Sequence, residues 1–213
     1  ITKGAYRRYQ IGQVFRGENP QHGRYREFTQ FDFDTVGANT PEEDAKIIAT
    51  AVTASRKSGV KNAVMTINDR QNFEGVPKDV IIALDKIHKI ERVGVEGELA
   101  EKGYKQDEIK RYLDNLLNSS PTDNLNKIFE ILNTKFNLKI DVDYMFDATL
   151  ARGLDYYTGI IVELKPTPDV TALSIGAGGR YDNLIGMFAQ KTIPAVGFSF
   201  GIDRLVETLS NEI

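Results

Sequence analysis

Hydrophobic and polar residues alternate along two segments near the start of the chain, residues 5–15 and 25–36. A period of two is typical of β-strands with one buried face. The stretch "GENPQHG" between them contains the glycine, asparagine and proline of a connecting loop, so the pattern predicts a β-hairpin. In its second strand we expect Phe31 and Phe33 to face the core and Phe28, Gln30 and Asp34 to face the other way.

The stretch "NTPEEDAKIIATAVTASRKSG" (39–59) predicts a helix with clear ends. Thr40 is a suitable N-cap and Pro41 occupies the first helical position. Acidic residues follow in the first turn, and a basic pair precedes Gly59, as the helix dipole favours. The next residues, "VKNAVMTIND", predict a buried strand.

From about residue 70 to 140 the periodicity becomes helical. One apolar stripe with helical spacing consists of Ile109, Tyr112, Leu113, Leu116 and Leu117. Lysine and arginine are mixed with acids here, as on the solvated face of an amphipathic bundle. The pattern predicts an all-helical insertion.

Strand patterns return after residue 140, in "DYMFDATL" and "YTGIIVELKP". The glycines of "SIGAGGRYDNLIGMF" predict a turn that leads into a short helix, and "IPAVGFSFGIDRLVETLS" predicts a strand passing directly into a helix. We therefore expect an α+β fold with a mainly antiparallel sheet flanked by helices. Residues 1–69 and 141–213 would form its core, and residues 70–140 the insertion.

Composition narrows the function classes. The chain has 213 residues, 41% of them hydrophobic, and no cysteine, which excludes disulfides and thiolate zinc sites and fits a cytoplasmic protein. No apolar run approaches the ~20 residues of a membrane span, and the first residues do not have the pattern of a signal peptide. Two histidines, His22 and His88, are too few for a histidine-based metal site.

The charge is unevenly distributed. The whole chain has a net charge of −3, but residues 1–30 contain six basic and two acidic residues and so carry +4. A basic first segment on an acidic body indicates a local anionic ligand, although a solvated charged face would give the same asymmetry.

Four arginines are the strongest candidates for binding an anion. Arg16, Arg24, Arg152 and Arg204 stand at the predicted boundaries of strands, loops and helices, where side chains can converge. Guanidinium groups bind phosphate or carboxylate through paired hydrogen bonds, which suits a polyanion such as ATP. By contrast, "GAGGRYD" matches neither the P-loop nor the dinucleotide-binding pattern.

These motifs together resemble a known family. "FRGENPQHGRYREF" is similar to the second signature motif of class II aminoacyl-tRNA synthetases, and "VGFSFGIDRL" to the third. "ARGLDYYTG" and "GAGGRYDNLIGMF" resemble two stretches particular to histidyl-tRNA synthetases. The resemblance covers nearly the whole chain and implies the class II synthetase fold, with residues 70–140 as that family's insertion domain.

The resemblance implies that histidine is activated by ATP, with Mg²⁺, to histidyl-adenylate and pyrophosphate, before transfer to tRNA(His). Arg16 and Arg152 would be the catalytic residues at the α-phosphate, and both would also lie near the histidine substrate. No metal-ligating residue is implied. The ATP site would comprise Arg16, Glu18, Arg24, Phe28 and Arg204, with Arg24 near the terminal phosphates and Phe28 and Arg204 on either side of the adenine.

For the amino acid, the resemblance implies Gln30 near its backbone groups and Asp34 at its imidazole, with Tyr156 and Tyr157 completing the pocket. An imidazole offers one donor and one acceptor, so a carboxylate and a phenol can bind both nitrogens. A site that satisfies both nitrogens would strongly reject apolar isosteres.

The chain departs from the family pattern in three ways. It begins just before the second motif and ends within the helix of the third, so the first motif and the anticodon-binding domain are absent. Asp203 also replaces the usual glutamate. We therefore expect a catalytic-domain fragment of a synthetase that forms a homodimer by analogy with the family.

Two related functions remain open. One is the histidyl-tRNA synthetase-like regulatory subunit of ATP phosphoribosyltransferase, a binding module without catalysis. The other is the tRNA-sensing synthetase-like domain of a stress-responsive kinase. Both would be expected to lose parts of the ATP and histidine set, whereas this chain retains all of it. An unrelated α+β domain is the remaining alternative.

Overall fold

The fold is built around one seven-stranded sheet, seen here in a computed structural model that describes residues 4–17, 19, 25–151, 156–169 and 171–211. The strands are β1 (Tyr6–Phe15), β2 (Glu27–Val36), β3 (Val64–Asp69), β4 (Tyr144–Phe146), β5 (Ile160–Lys165), β6 (Gly176–Arg180) and β7 (Ala195–Gly201). Their order in the sheet is β1-β2-β7-β6-β5-β3-β4. Neighbouring strands are antiparallel except β3 and β4, which confirms the predicted mainly antiparallel α+β fold.

The helices are α1 (Pro41–Lys57), α2 (Lys78–Leu84), α3 (Ile87–Glu101), α4 (Gln106–Leu117), α5 (Asp123–Phe136), α6 (Gly186–Ala189) and α7 (Ile202–Asn211). A short 3-10 helix, Arg70–Phe73, follows β3. Within the described ranges, none of these helices is long and apolar enough to cross a membrane.

The hairpin formed by β1 and β2 has the predicted alternation. Phe33 is buried, and Phe31 packs against the same core cluster, where it stacks on Phe200 with ring centroids 6.2 Å apart. Successive residues of a strand face opposite sides, so Gln30 and Asp34 lie on the face away from this core. Across the hairpin Asp34 pairs with Arg8. At the β1–β2 hairpin the sheet therefore has one apolar face, which packs on the core, and one charged face, which carries Asp34 and Arg8.

Helix α1 covers the apolar face and has the predicted ends. The Thr40 hydroxyl accepts a hydrogen bond from the Glu43 N–H at 3.4 Å, and Pro41 begins the helix. Ile48 and Val52 are fully buried in the main core cluster. The ends and the buried face of this helix thus follow directly from its sequence.

The glycine-rich segment corrects one prediction, because residues 176–180 form strand β6 in the middle of the sheet rather than a turn. Glycine is required there by close approach to β7. A Cβ on Gly176 would lie 2.5 Å from the Phe198 ring, and one on Gly178 would overlap the Gly197 carbonyl oxygen. The predicted short helix does follow, as α6.

The helices of residues 78–136 divide between two apolar clusters. Helices α2, α3 and α4 form a second cluster, in which Leu84, Leu99, Ile109 and Leu113 are fully buried. Helix α5 instead contributes Leu125, Ile128, Phe129 and Leu132 to the main cluster under the sheet. The division of the chain at residues 70 and 140 stays a prediction, but α5 packs with the sheet and α1 rather than with α2–α4.

Candidate active site

A cavity of about 550 Å³ opens on the polar face of the sheet. Strands β2, β6 and β7 form its floor, and residues 156–157 and 181–189 form its walls. Its lining combines one carboxylate, one guanidinium and three tyrosines with small and apolar residues. These residues are Arg8, Asp34, Val36, Tyr156, Tyr157, Ala177, Gly178, Tyr181, Leu184, Ile185, Phe188, Ala189, Gly197 and Phe198.

Asp34 is the carboxylate of this cavity, and each of its oxygens has a partner. The Tyr181 hydroxyl donates to Oδ1, and the Arg8 guanidinium lies 3.1 Å from Oδ2. Burial raises the pKa of Asp34, although the hydrogen bond from Tyr181 and the charge of Arg8 oppose the shift. The pKa of Tyr181 is raised as well, first by burial and then by its bond to the carboxylate. Tyr181 therefore remains a donor at any ordinary pH.

Three tyrosines form the aromatic wall. The rings of Tyr156 and Tyr157 lie 4.5 Å apart between centroids, and Tyr156 meets Tyr181 edge-on at 6.3 Å. The Tyr156 hydroxyl donates to that of Tyr157 at 3.4 Å. Tyr156 and Tyr157, which the sequence predicted for the histidine pocket, thus line the same cavity as Asp34. Sequence reasoning did not single out Tyr181, although it follows the glycines of "GAGGRYD".

Two glycines make room for this arrangement. Gly197 lies opposite Asp34 in the β2–β7 pairing, and a Cβ there would overlap Asp34 Oδ1. Gly179 has a φ of +158°, and a Cβ there would lie 2.7 Å from the Tyr157 ring. Small residues therefore let the carboxylate and the tyrosine approach the sheet backbone closely.

The segment that carries Tyr181 is anchored by a buried ion pair that the sequence analysis also missed. Arg180 donates to Asp44 of α1 from Nη2 at 2.6 Å and from Nε at 3.0 Å. Its Nη1 donates to Asp182 at 2.9 Å and to the Ala38 carbonyl at 3.3 Å. Burial raises the pKa of Asp44 to about 6, with Arg180 opposing the shift. Because Arg180 and Tyr181 are adjacent, this pair links helix α1 to the cavity.

Gln30 lies on the cavity side of β2 but outside the cavity lining. Its amide nitrogen donates to the Ser199 hydroxyl on β7. The contact keeps the Gln30 side chain against the sheet, two strand positions along the same face from Asp32 and four from Asp34.

Three residues predicted for ATP, Arg16, Phe28 and Arg204, lie towards the other end of β2. The Arg16 guanidinium carbon is 4.8 Å from the centroid of the Phe28 ring, within cation–π range. Arg204, at the start of α7, donates to the Ser174 carbonyl at 2.9 Å. Its neighbour Asp203 accepts a hydrogen bond from the Thr29 N–H at 2.7 Å. This bond holds the start of α7 beside the strand segment that carries Phe28.

Three predicted site residues, Glu18, Arg24 and Arg152, lie outside the described residues. Within the described ranges, no three histidine or acidic side chains are grouped in a way that could hold a metal ion. A set of ligands for a resident metal is therefore not assigned.

Comparison with known proteins gives one consistent match. A sequence model described as histidyl-tRNA synthetase matches residues 97–205. Curated histidine–tRNA ligases from Korarchaeum cryptofilum and Aeropyrum pernix are each 36% identical, over 223 and 225 residues, and cover 95% of this chain. The one from Flavobacterium johnsoniae is 35% identical and covers 94%.

Solved structures agree with this match. Histidyl-tRNA synthetase from Nostoc sp. PCC 7120 superposes with a TM-score of 0.77 at 26% identity, covering 97% of this chain and 55% of that one. An ATP phosphoribosyltransferase regulatory subunit/histidyl-tRNA synthetase from Bacillus halodurans C superposes at 0.72 over 95% of this chain and 58% of that one. At 23% identity the latter shows a shared fold alone. The chain spans about half the length of the curated relatives it matches.

Proposed function

The chain belongs to the histidyl-tRNA synthetase family, and from this premise we propose that it carries the site that activates L-histidine with ATP. A carboxylate oxygen of histidine attacks the α-phosphorus of ATP, the bond to the β-phosphate oxygen breaks, and histidyl-adenylate and pyrophosphate result. The acyl group then passes to tRNA(His). The protein is proposed to be a cytoplasmic homodimer, as the family resemblance implies.

One observation supports this function most strongly, namely the partnership of Asp34 and Tyr181 at the wall of the cavity. Asp34 is a hydrogen-bond acceptor for an imidazole N–H, and Tyr156 and Tyr157 line the same cavity. A buried carboxylate surrounded by tyrosines accommodates a ring with one donor and one acceptor. An apolar isostere of histidine would leave these groups unpaired, which costs binding energy.

For ATP, we assign Arg16 and Arg152 to the α-phosphate, where a permanent positive charge stabilises the transition state without acting as a base. Glu18 and Arg24 are assigned as loop residues that bind ATP, with Arg24 near its terminal phosphates, and Phe28 and Arg204 bind the adenine. The cation–π contact between Arg16 and Phe28 and the bond between Asp203 and Thr29 support a common site at this end of β2. Mg²⁺ enters with ATP, and no step is assigned to it.

The competing function is a binding module without catalysis, like the regulatory subunit with which the chain shares its fold. Both functions allow histidine to bind, so histidine binding alone does not separate them. Retention of Arg16, Phe28 and Arg204 beside the histidine set favours the enzyme.

Histidine-dependent exchange of pyrophosphate into ATP tests the proposal. The assay uses the full-length protein that contains this chain, with the other amino acids as controls. We expect exchange with histidine alone. If the protein binds histidine with a measurable Kd but gives no exchange, the regulatory function is correct. If it neither binds histidine nor gives exchange, the proposed pocket is wrong.

A further inference from the structure

Arg8 holds a position in the cavity that neither the motifs nor the proposed reaction explains. It lies on edge strand β1, directly opposite Asp34 in the register of the hairpin. Its Nη1 is 3.1 Å from Asp34 Oδ2, and its Nη2 donates to the Gln10 side-chain oxygen at 3.0 Å. Two side chains, Asp34 and Gln10, therefore hold the guanidinium of Arg8, which is one of the residues that line the cavity.

The charges around Asp34 show what Arg8 contributes. Burial disfavours the Asp34 charge most, and Asp32, two residues along the same strand face, adds a smaller repulsion. Tyr181, following β6, donates a hydrogen bond, and Tyr156 lies beside Tyr181. Among the described groups that act on Asp34, Arg8 is the cation. The Asp34 side chain is only 12% exposed, so water stabilises its negative charge little and cannot substitute for the positive charge of Arg8.

We propose that Arg8 is a positioning residue of the histidine pocket, whose guanidinium keeps the Asp34 carboxylate charged and fixed for the substrate imidazole. The inference rests on the proposed function. Arg8 and Tyr181 each bind one oxygen of Asp34, and a carboxylate has about four acceptor sites, so an imidazole N–H can still be accepted. Removal of Arg8 leaves a buried carboxylate beside Asp32, which favours the protonated form, a weaker acceptor for this bond than the ionised carboxylate.

Arg7 provides a matched control on the same strand. It is the preceding residue, so its side chain points to the opposite face of the sheet. There it binds both oxygens of Glu43 at 2.8 Å. Arg7→Gln and Arg8→Gln therefore remove the same charge and break one ion pair each, but only Arg8 faces the cavity.

The first measurement does not depend on histidine. The Asp34 carboxyl is titrated by NMR, in the full-length protein, for wild type, Arg8→Gln, Arg8→Lys and Arg7→Gln. We expect Arg8→Gln to raise the pKa of Asp34 further, because the nearby opposite charge is lost. Arg8→Lys keeps the charge and should restore most of the wild-type value, and Arg7→Gln should leave it unchanged.

The second measurement is the Kd for L-histidine from pH 5 to 9, by calorimetry. The ionised Asp34 accepts the imidazole N–H more strongly than the protonated form, so affinity is lost as the pH falls through its folded-state pKa. For Arg8→Gln we expect this loss to begin at higher pH, with about ten-fold weaker binding on the acid side and a smaller difference at high pH.

The outcomes separate the two proposals. An unchanged pKa of Asp34 in Arg8→Gln overturns the role of Arg8, and so does a loss of histidine affinity that is equal at every pH, since that indicates a structural contact only. A wild-type protein that fails to bind histidine overturns the proposed function. In that case the NMR titration still decides whether Arg8 lowers the pKa of the Asp34 carboxyl.

Discussion

Asp44 and Arg180, which are 136 residues apart in the chain, form a buried ion pair with hydrogen bonds of 2.6 and 3.0 Å next to the candidate histidine pocket. Asp44 belongs to the first turn of α1, and Arg180 ends β6 next to Tyr181. The pair thereby determines where the segment that contacts Asp34 leaves the sheet. Its loss should therefore reduce both stability and histidine binding.

Asp44→Ala should lower the free energy of unfolding by about 3–5 kcal/mol, because the Arg180 guanidinium would remain buried without its main partner. The measurement is urea denaturation of the full-length protein at neutral pH, where Asp44, with a pKa of about 6, is ionised. Glu42→Ala in the same helical turn is the control, since the Glu42 side chain is 43% exposed and its loss should change stability little. A cost below about 1 kcal/mol for Asp44→Ala would contradict the buried pair.

Tyr181→Phe removes the hydroxyl that donates to Asp34 while keeping the ring. We expect the Kd for histidine to rise about 10-fold or more, because a hydrogen bond to a charged group contributes about 1.5–3 kcal/mol. Tyr9→Phe is the control, since Tyr9 is 76% exposed and lies outside the cavity lining. Equal Kd values for both variants would show that Tyr181 does not orient the carboxylate.

Gly197→Ala tests the close approach of Asp34 to β7. The added methyl group would overlap Oδ1 of Asp34, so the carboxylate must move and histidine binding should be lost. Gly97→Ala is the matched control, because a Cβ there meets nothing within 4 Å and Gly97 lies inside α3. That change should leave binding intact and stabilise the helix by up to about 1 kcal/mol. Histidine calorimetry and urea denaturation measure the two effects.

Arg152→Ala tests the proposed α-phosphate site. Removing a charge that acts mainly in the transition state should reduce histidine-dependent pyrophosphate exchange by at least 100-fold, while the Kd for histidine changes much less. Arg111→Ala serves as the control, because it also removes an arginine, but one on helix α4 that does not line the cavity. The Arg111 guanidinium carbon lies 5.1 Å from the centroid of the Tyr112 ring. Exchange by Arg152→Ala within a few-fold of wild type would remove this residue from the catalytic set.

The contact of Asp203 with Thr29 can be tested by two substitutions. Asp203→Ala leaves the Thr29 N–H without its acceptor, so the segment with Phe28 should be less well ordered and the KM for ATP should rise several-fold. Asp203→Asn retains an acceptor oxygen and should lie near wild type. If the two variants raise KM equally, it is the charge of Asp203 rather than the hydrogen bond that matters.

Much of the fold could be predicted because it depends on local rules. The alternation of β2 separates Phe33 from Asp34, and Thr40 and Pro41 begin α1 as expected. These features need only the periodicity of a strand and the unpaired N–H groups of a helix start. The same rules failed for residues 176–180, because glycine is permissive in turns and is also required where two strands approach closely.

The sequence by itself determined the hairpin, the capped helix α1, the strand-to-helix passage at residue 201 and the family motifs. Only the tertiary structure decided that α5 packs under the sheet, that Arg180 meets Asp44 and that Arg8 and Tyr181 take the two oxygens of Asp34. Local pattern specifies which face of an element is apolar. Contacts between charged groups far apart in the chain depend instead on strand order and register, which arise only when the whole core is packed.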